Sequence, residues 1–167
     1  MIATYYGMHP VSPERCRVLE LGCAAGGNIV PMAEQFPRSE FVGLDASARQ
    51  ISSGQERVAR LGLKNIQLLV ADLLNWDGGD QQFDYIICHG VYSWVPPAVR
   101  ETILKICKRH LSPQGVAYIS YNTFPGWRAR GMMVDLLKHH TRRVPKDGSP
   151  EDRAAEARKL LELLRRE

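Results

Sequence analysis

Short aliphatic runs alternate along the chain with longer stretches whose apolar positions recur every three or four residues. The runs over Cys16–Leu21, Glu40–Leu44, Ile66–Ala71, Phe83–Cys88 and Val116–Tyr121 are nearly continuous in apolar character, as strands covered on both faces are. Between them the helical period is met at about Asn28–Phe36, Ser47–Leu61 and Ala98–Leu111. In the last of these Val99, Ile103, Ile106, Cys107 and Leu111 share one face, and Pro96-Pro97 stands at its start, where proline is tolerated. Strand and helix signals in strict alternation predict parallel strands joined by crossover helices, an α/β sheet with helical layers on both sides.

After the fifth strand the pattern changes to helix alone. One helix is expected from Trp127 to about Thr141 and another after a polar break at Pro145–Pro150. Ser149 can cap the second, Pro150 can take its first position, and Glu151 and Asp152 suit the positive end of its dipole. Leu160, Leu161, Leu163 and Leu164 then form an apolar stripe. Such a stripe stabilises a helix only when buried, so it predicts a covering surface, either a second copy of the chain or a further C-terminal domain. The expected division is a folded domain over residues 1–144, then a linker and amphipathic helix over 145–167 leading to a missing region. No repeat or low-complexity segment interrupts this order.

Composition narrows the class. With 167 residues, 44% of them hydrophobic and 24% charged, the chain has the size and balance of one globular domain. No apolar run approaches the roughly 20 residues of a membrane span, and residues 1–10 lack the pattern of a secretory signal, so a cytoplasmic protein without membrane partners is expected. The cysteines, Cys16, Cys23, Cys88 and Cys107, form no CxxC pair and lie in apolar segments; they read as buried free thiols, with no metal site. Charge is uneven, 7 basic and 10 acidic residues over 1–96 against 15 and 8 over 97–167. Most of the basic excess lies on helical segments, where charges solvate an outer face.

The densest chemical signal is Glu20-Leu21-Gly22-Cys23-Ala24-Ala25-Gly26-Gly27-Asn28, a strand running through small residues into a helix. Small residues admit a ligand close to the backbone, and Gly22, Ala24 and Gly27 have the GxAxxG spacing of a dinucleotide turn. Three acids narrow that reading. Glu20, two residues before the first glycine, would repel a pyrophosphate but suits an ammonium group. Asp45 ends the second strand, where it can accept from both hydroxyls of a ribose, a feature shared with NAD enzymes. Asp72 ends the third strand at the same rim, beside the place of an adenine. Each acid singly fits a solvated loop or a helix cap; three on successive strand ends form a constellation.

These segments resemble the class I S-adenosylmethionine-dependent methyltransferases: ExGxAxG after the first strand, an acid after the second, Ala-Asp-Leu after the third and Phe-Asp-Tyr-Ile-Ile in the fourth, over about residues 15–122. The resemblance implies a three-layer, Rossmann-like fold with a mainly parallel sheet, lacking the last two strands of the family pattern. It implies S-adenosyl-L-methionine as cofactor, held by Glu20, Leu21, Gly22, Cys23, Ala24, Gly26 and Asn28 at the methionine end, Asp45 and Ala46 at the ribose, and Asp72 and Leu73 at the adenine. His89 and Gly90 complete the set.

The acceptor end is expected after the fourth and fifth strands, in Cys88-His89-Gly90-Val91-Tyr92-Ser93-Trp94-Val95-Pro96 and Tyr121-Asn122-Thr123-Phe124-Pro125-Gly126-Trp127. Both segments are aromatic and short of charge, and aromatic faces attract cationic donors and amine acceptors. They also resemble the bacterial methyltransferases that carry a methyltransferase regulatory domain, some of which are protein lysine methyltransferases; Phe124 departs from that pattern, which has tyrosine. No Asp-Pro-Pro-Tyr motif follows the fourth strand, which disfavours nucleic acid as acceptor.

Methyl transfer from a sulfonium is an in-line displacement that depends on alignment and exclusion of water. A lysine acceptor, with a pKa of about 10.4 in water, must first lose a proton. Tyr92, Trp94, Tyr121, Asn122 and Trp127 are the candidate acceptor contacts, and His89 and Tyr121 the candidate proton carriers. The expected acceptor is an amine, on a protein or a small molecule. Two other readings stand beside this one: an NAD-binding oxidoreductase domain, against which Glu20 and Asp72 argue, and a non-catalytic cofactor-binding fragment that needs a partner.

Overall fold

Alternation along the first strand decides the layers. Val18 faces one side of the sheet with Cys16, Phe41, Ile66 and Leu68, and Leu19 and Leu21 face the other with Leu44, Phe83, Ile86 and Cys88. The computed structural model describes residues 2–145 and 149–166. Its elements are α1 (Ile2–Tyr5), β1 (Arg17–Leu21), α2 (Ile29–Gln35), β2 (Glu40–Asp45), α3 (Ala48–Arg60), β3 (Ile66–Val70), β4 (Phe83–Cys88), α4 (Pro97–His110), β5 (Leu111–Ile119), α5 (Arg128–Thr141) and α6 (Pro150–Arg166). All five strands pair in parallel in the order β3-β2-β1-β4-β5. This is the three-layer α/β fold expected, with Ile29, Val30 and Ala33 of α2 and Ile51 of α3 on one face. Ile103, Ile106 and Cys107 of α4 cover the other.

The register carries the strand ends to a common rim. Leu21 pairs with Leu44 and Asp45 with Val70, while Cys88 pairs with Ile119. Glycine turns and helix starts that follow these residues therefore gather on one edge of the sheet, where ligand crevices of open α/β sheets lie.

Most boundaries fall within one residue of expectation, and the largest departure is at the last strand. The last strand was expected at Val116–Tyr121 but runs over Leu111–Ile119, and α4 ends at His110, one residue early. Leu111 pairs with Phe83 and Val116 with Tyr85, so the chain bows out over Ser112–Gly115 opposite a single residue. The bow is held where the Ser112 hydroxyl donates to Asp84 Oδ1 at 3.1 Å. A bulge of this kind keeps a strand continuous through Pro113 and Gly115, which in isolation signal a turn. The four cysteines are buried and free, as expected.

The chain forms two compact units, Met1–Tyr121 and Asn122–Glu167. In the second, α5 packs on α6, and His140 Nε2 stands 3.2 Å from Glu156 Oε1. Ser149 caps α6 as expected: its hydroxyl accepts from Asp152 N at 3.1 Å, and its own amide donates to Asp152 Oδ2 at 3.0 Å. Leu161, Leu163 and Leu164 are exposed. The expected polar break at Pro145–Pro150 includes residues 146–148, which lie outside the described residues. No helix among the described residues is long and apolar enough to cross a membrane.

Candidate active site

The turn after β1 is a tight reversal fastened to the neighbouring strand. Gly22 N and Cys23 N both donate to Leu44 O, at 2.8 and 2.9 Å, and Gly26 N donates to Cys23 O at 2.8 Å. Gly22 and Gly26 both have φ of 74°, a region open to glycine and costly to other residues. Space is short as well: a Cβ on Gly22 would lie 2.5 Å from Val91 Cγ2, and one on Gly26 2.6 Å from Val30 Cγ2. The turn thus packs against the segment that follows β4.

Ala24 shares the left-handed conformation, with φ of 49°, at a cost of about 1–2 kcal/mol for an L-residue. Glycine escapes that strain but loses about 0.5–1 kcal/mol in chain entropy. Ala24→Gly is therefore expected to raise the thermal midpoint slightly, by a stabilisation of up to about 1.5 kcal/mol. A lower midpoint in a calorimetric scan would show that the Ala24 methyl makes packing contacts that outweigh the strain.

Glu20 is the most confined acid of the three. It is 3% exposed, its Oε1 accepts from Asn28 Nδ2 at 2.8 Å, and its Oε2 is buried without a hydrogen-bond partner among the described residues. Burial pushes its pKa up, against the opposing pull of the Asn28 hydrogen bond, of nearby His89 and of the Ile29 backbone amide. A buried carboxylate oxygen with no donor is costly, and it is the kind of group a cationic ligand satisfies.

Asp45 is half-buried and braces the turn. Its Oδ2 accepts from Ala24 N at 2.9 Å and its Oδ1 from Ser47 N at 2.8 Å, ahead of α3. Each oxygen keeps a second acceptor position. Ala46, beside it, is exposed. Asp72 is exposed and closes a local turn, its Oδ1 accepting from Leu74 N at 3.0 Å; Leu73 next to it is buried.

The thiols nearby are inert. Cys23, close to Glu20 and Asp45, is pushed up to about 12, first by burial and then by those two charges. Cys88 is pushed up to about 11, again chiefly by burial. Neither forms a thiolate near neutrality, so neither serves as a nucleophile.

On the β4 side, Gly90 N donates to Ser120 Oγ at 2.8 Å and Ser120 N to Cys88 O at 3.0 Å, tying the two strand ends together. The exposed His89 ring lies 6.0 Å from that of Tyr118, nearly parallel to it. Tyr92 and Tyr121 have ring centroids 6.4 Å apart, and Trp94 is exposed. Glu20, Leu21, Gly22, Cys23, Ala24, Gly26, Asn28, Asp45, Ala46, Asp72, Leu73, His89, Gly90, Tyr92, Trp94 and Tyr121 all lie in the first unit. Asn122 and Trp127 belong to the second unit. A cavity of about 380 Å³ lies along the sheet face between Val18, Met32, Tyr85 and Tyr118, with Asn28 and His89 in its wall.

Residues 18–115 match the methyltransferase domain family. The chain belongs to that family. Its fold is that of the class I methyltransferases. The uncharacterized protein RP789 of Rickettsia prowazekii (strain Madrid E) is 44% identical over 164 residues, which are 98% of this chain and 29% of that protein. PKMT2 from Rickettsia typhi in complex with AdoHcy superposes with a TM-score of 0.82 at 34% identity, over 98% of this chain and 31% of that one. Trans-aconitate 2-methyltransferase of Variovorax paradoxus (strain S110) is 32% identical over 107 residues, 64% of this chain and 39% of that enzyme. The chain thus spans 29% to 39% of the length of these relatives.

Sequence reasoning missed two residues that shape this rim. Val91 packs under Gly22, and Arg100 of α4 reaches back to the carbonyls of Ser93 and Val95. A valine and an arginine carry no motif; only the turn's tight glycine hinted that something packs against it.

Proposed function

We propose that this domain transfers a methyl group to an amine, in the first instance the side chain of a protein lysine. The observation that carries this reading is the aromatic rim of Tyr92, Trp94 and Tyr121 beyond β4 and β5, in the same unit as the buried carboxylate of Glu20. S-adenosylmethionine, when bound, supplies a methyl group on a cationic sulfur. The orphaned Glu20 oxygen and the small-residue turn fit its ammonium-bearing end. In this reading the Glu20–Asn28 turn holds the methionine portion, Asp45 and Ala46 the ribose, and Asp72 and Leu73 the adenine, while His89 and Gly90 close the side nearest β4.

Aromatic faces at the rim attract a cationic amine on approach, and the loss of water there favours its neutral, nucleophilic form. His89, exposed and near Glu20, is the proposed carrier of the released proton, with Tyr121 as the second. Asn122 and Trp127 are proposed acceptor contacts. The resemblance of the two rim segments to methyltransferases that include lysine-modifying members supports the acceptor class, as does the likeness to PKMT2.

Incubation of the chain with labelled S-adenosylmethionine and a panel of proteins, read by mass spectrometry, tests the assignment. Mono- or dimethyl-lysine in at least one protein is expected, and Tyr121→Phe should lower transfer more than it lowers cofactor binding. Transfer to a small-molecule oxygen with every lysine unmodified would sink the lysine assignment.

A further inference from the structure

We propose that Arg100 is a positioning residue that holds the Tyr92–Val95 segment in the shape the acceptor meets. This inference rests on the reading of that segment as the acceptor rim. The segment connects β4 to α4, and Trp94 N donates to Val91 O at 2.8 Å, closing one turn. Pro96, at the start of α4, provides no side-chain cap. Arg100 lies one turn into the helix and its guanidinium reaches back over the entry. Nε donates to Val95 O at 3.0 Å and Nη2 to Ser93 O at 3.3 Å. The same guanidinium lies 5.8 Å from the centroid of the Tyr92 ring.

One planar group thus engages Tyr92, Ser93 and Val95 at once. It is mounted on a helix anchored to the sheet through Ile103, Ile106 and Cys107, so the rigidity of the core is passed to the rim. The consequence runs in both directions along the segment: Tyr92 approaches Tyr121, and Val91, one residue earlier, lies against Gly22 of the cofactor turn. A lysine in place of Arg100 has no planar fork; it can reach one carbonyl but cannot bond two and stack on a ring together.

Arg100→Gln and Arg100→Lys separate this role from general stability. Hydrogen exchange followed by mass spectrometry is expected to show the amides of Tyr92–Val95 exchanging about tenfold faster in the glutamine variant, as the loss of one charge-assisted hydrogen bond implies. The lysine variant should fall between, and peptides from β1 and β4 should be unchanged. With poly-L-lysine as acceptor probe, kcat should fall about tenfold while the KM for S-adenosylmethionine moves less than about threefold, the mark of lost alignment with intact cofactor binding. Unchanged exchange over Tyr92–Val95, or a uniform rise that includes β1 and β4, would overturn the proposal. So would faster rim exchange with an unchanged kcat. If the unsubstituted chain fails to methylate poly-L-lysine, that failure counts against the amine reading, and the exchange comparison alone decides the role of Arg100.

Discussion

Replacing Glu20 by glutamine is expected to weaken the binding of S-adenosylhomocysteine by about ten- to a hundredfold, the effect of losing a hydrogen bond to a charged group worth about 1.5–3 kcal/mol, without destabilising the free chain. The two halves of this expectation come from one observation. Glu20 is buried, and among the described residues only its Oε1 has a hydrogen-bond partner of good geometry. Burial raises its pKa in the folded chain above the ordinary carboxylate range. A raised folded value means that the folded state binds the proton more tightly than the unfolded one. Stability is therefore full below the unfolded pKa and is lost as pH rises through the folded value. As pH rises through that value the ionised Glu20 works against folding, and glutamine removes that charge while keeping an oxygen for Asn28.

An ammonium group reverses the balance. It favours ionised Glu20, so binding should release protons in the window below the raised pKa, and affinity should climb with pH across it. Titration calorimetry in buffers of different ionisation enthalpy measures the proton release directly, and a thermal scan of the free chain measures stability. Equal affinity of both proteins, or a large fall in the thermal midpoint of the glutamine variant, would remove Glu20 from the cofactor site.

Much of this arrangement was legible because it is local. The strands are set by apolar runs and the helices by their period, and the acids at or just beyond the ends of β1, β2 and β3 lie next to those runs in the chain. The strand order and the rim's interior were not legible, since they depend on contacts between distant segments. The start of β5 was hidden because Pro113 and Gly115 signal a turn, whereas the bow opposite Phe83–Tyr85 carries them within a strand. His110 shows the same limit. It falls at the polar-looking end of α4, yet it is buried, its Nδ1 2.8 Å from Gln81 O and its ring 5.1 Å from that of Trp76. Asp45 was read as a ribose contact, with a loop or helix-cap role as the alternative, and its bonds to Ala24 N and Ser47 N make it a brace of the turn. Removing its carboxylate would thus disturb the scaffold together with the proposed ribose site, which makes Glu20 the cleaner probe.

The glycine spacing was the most motif-like feature of the sequence, and the structure divides its members sharply. Gly22→Ala is expected to destabilise the chain by about 2–5 kcal/mol: about 1–2 for forcing a side chain into the left-handed region, and about 1–3 for overpacking. The new methyl would lie 2.5 Å from Val91 Cγ2, too close to stand unless Val91 moves. Gly27 has no neighbour within 4 Å of its notional Cβ and no positive φ, so Gly27→Ala should change stability by no more than about 0.5 kcal/mol. The two substitutions add the same atom five residues apart and differ only in geometry. Their effects on the rim should differ as well, because displacing Val91 shifts the segment that leads to Tyr92. S-adenosylhomocysteine should therefore bind more weakly to the Gly22 variant at temperatures where it is still folded, and normally to the Gly27 variant. Chemical denaturation of both, followed by calorimetric titration, makes the comparison. Similar losses in the two proteins would mean that a loose glycine-rich loop, and no close packing of turn against rim, shapes this end of the site.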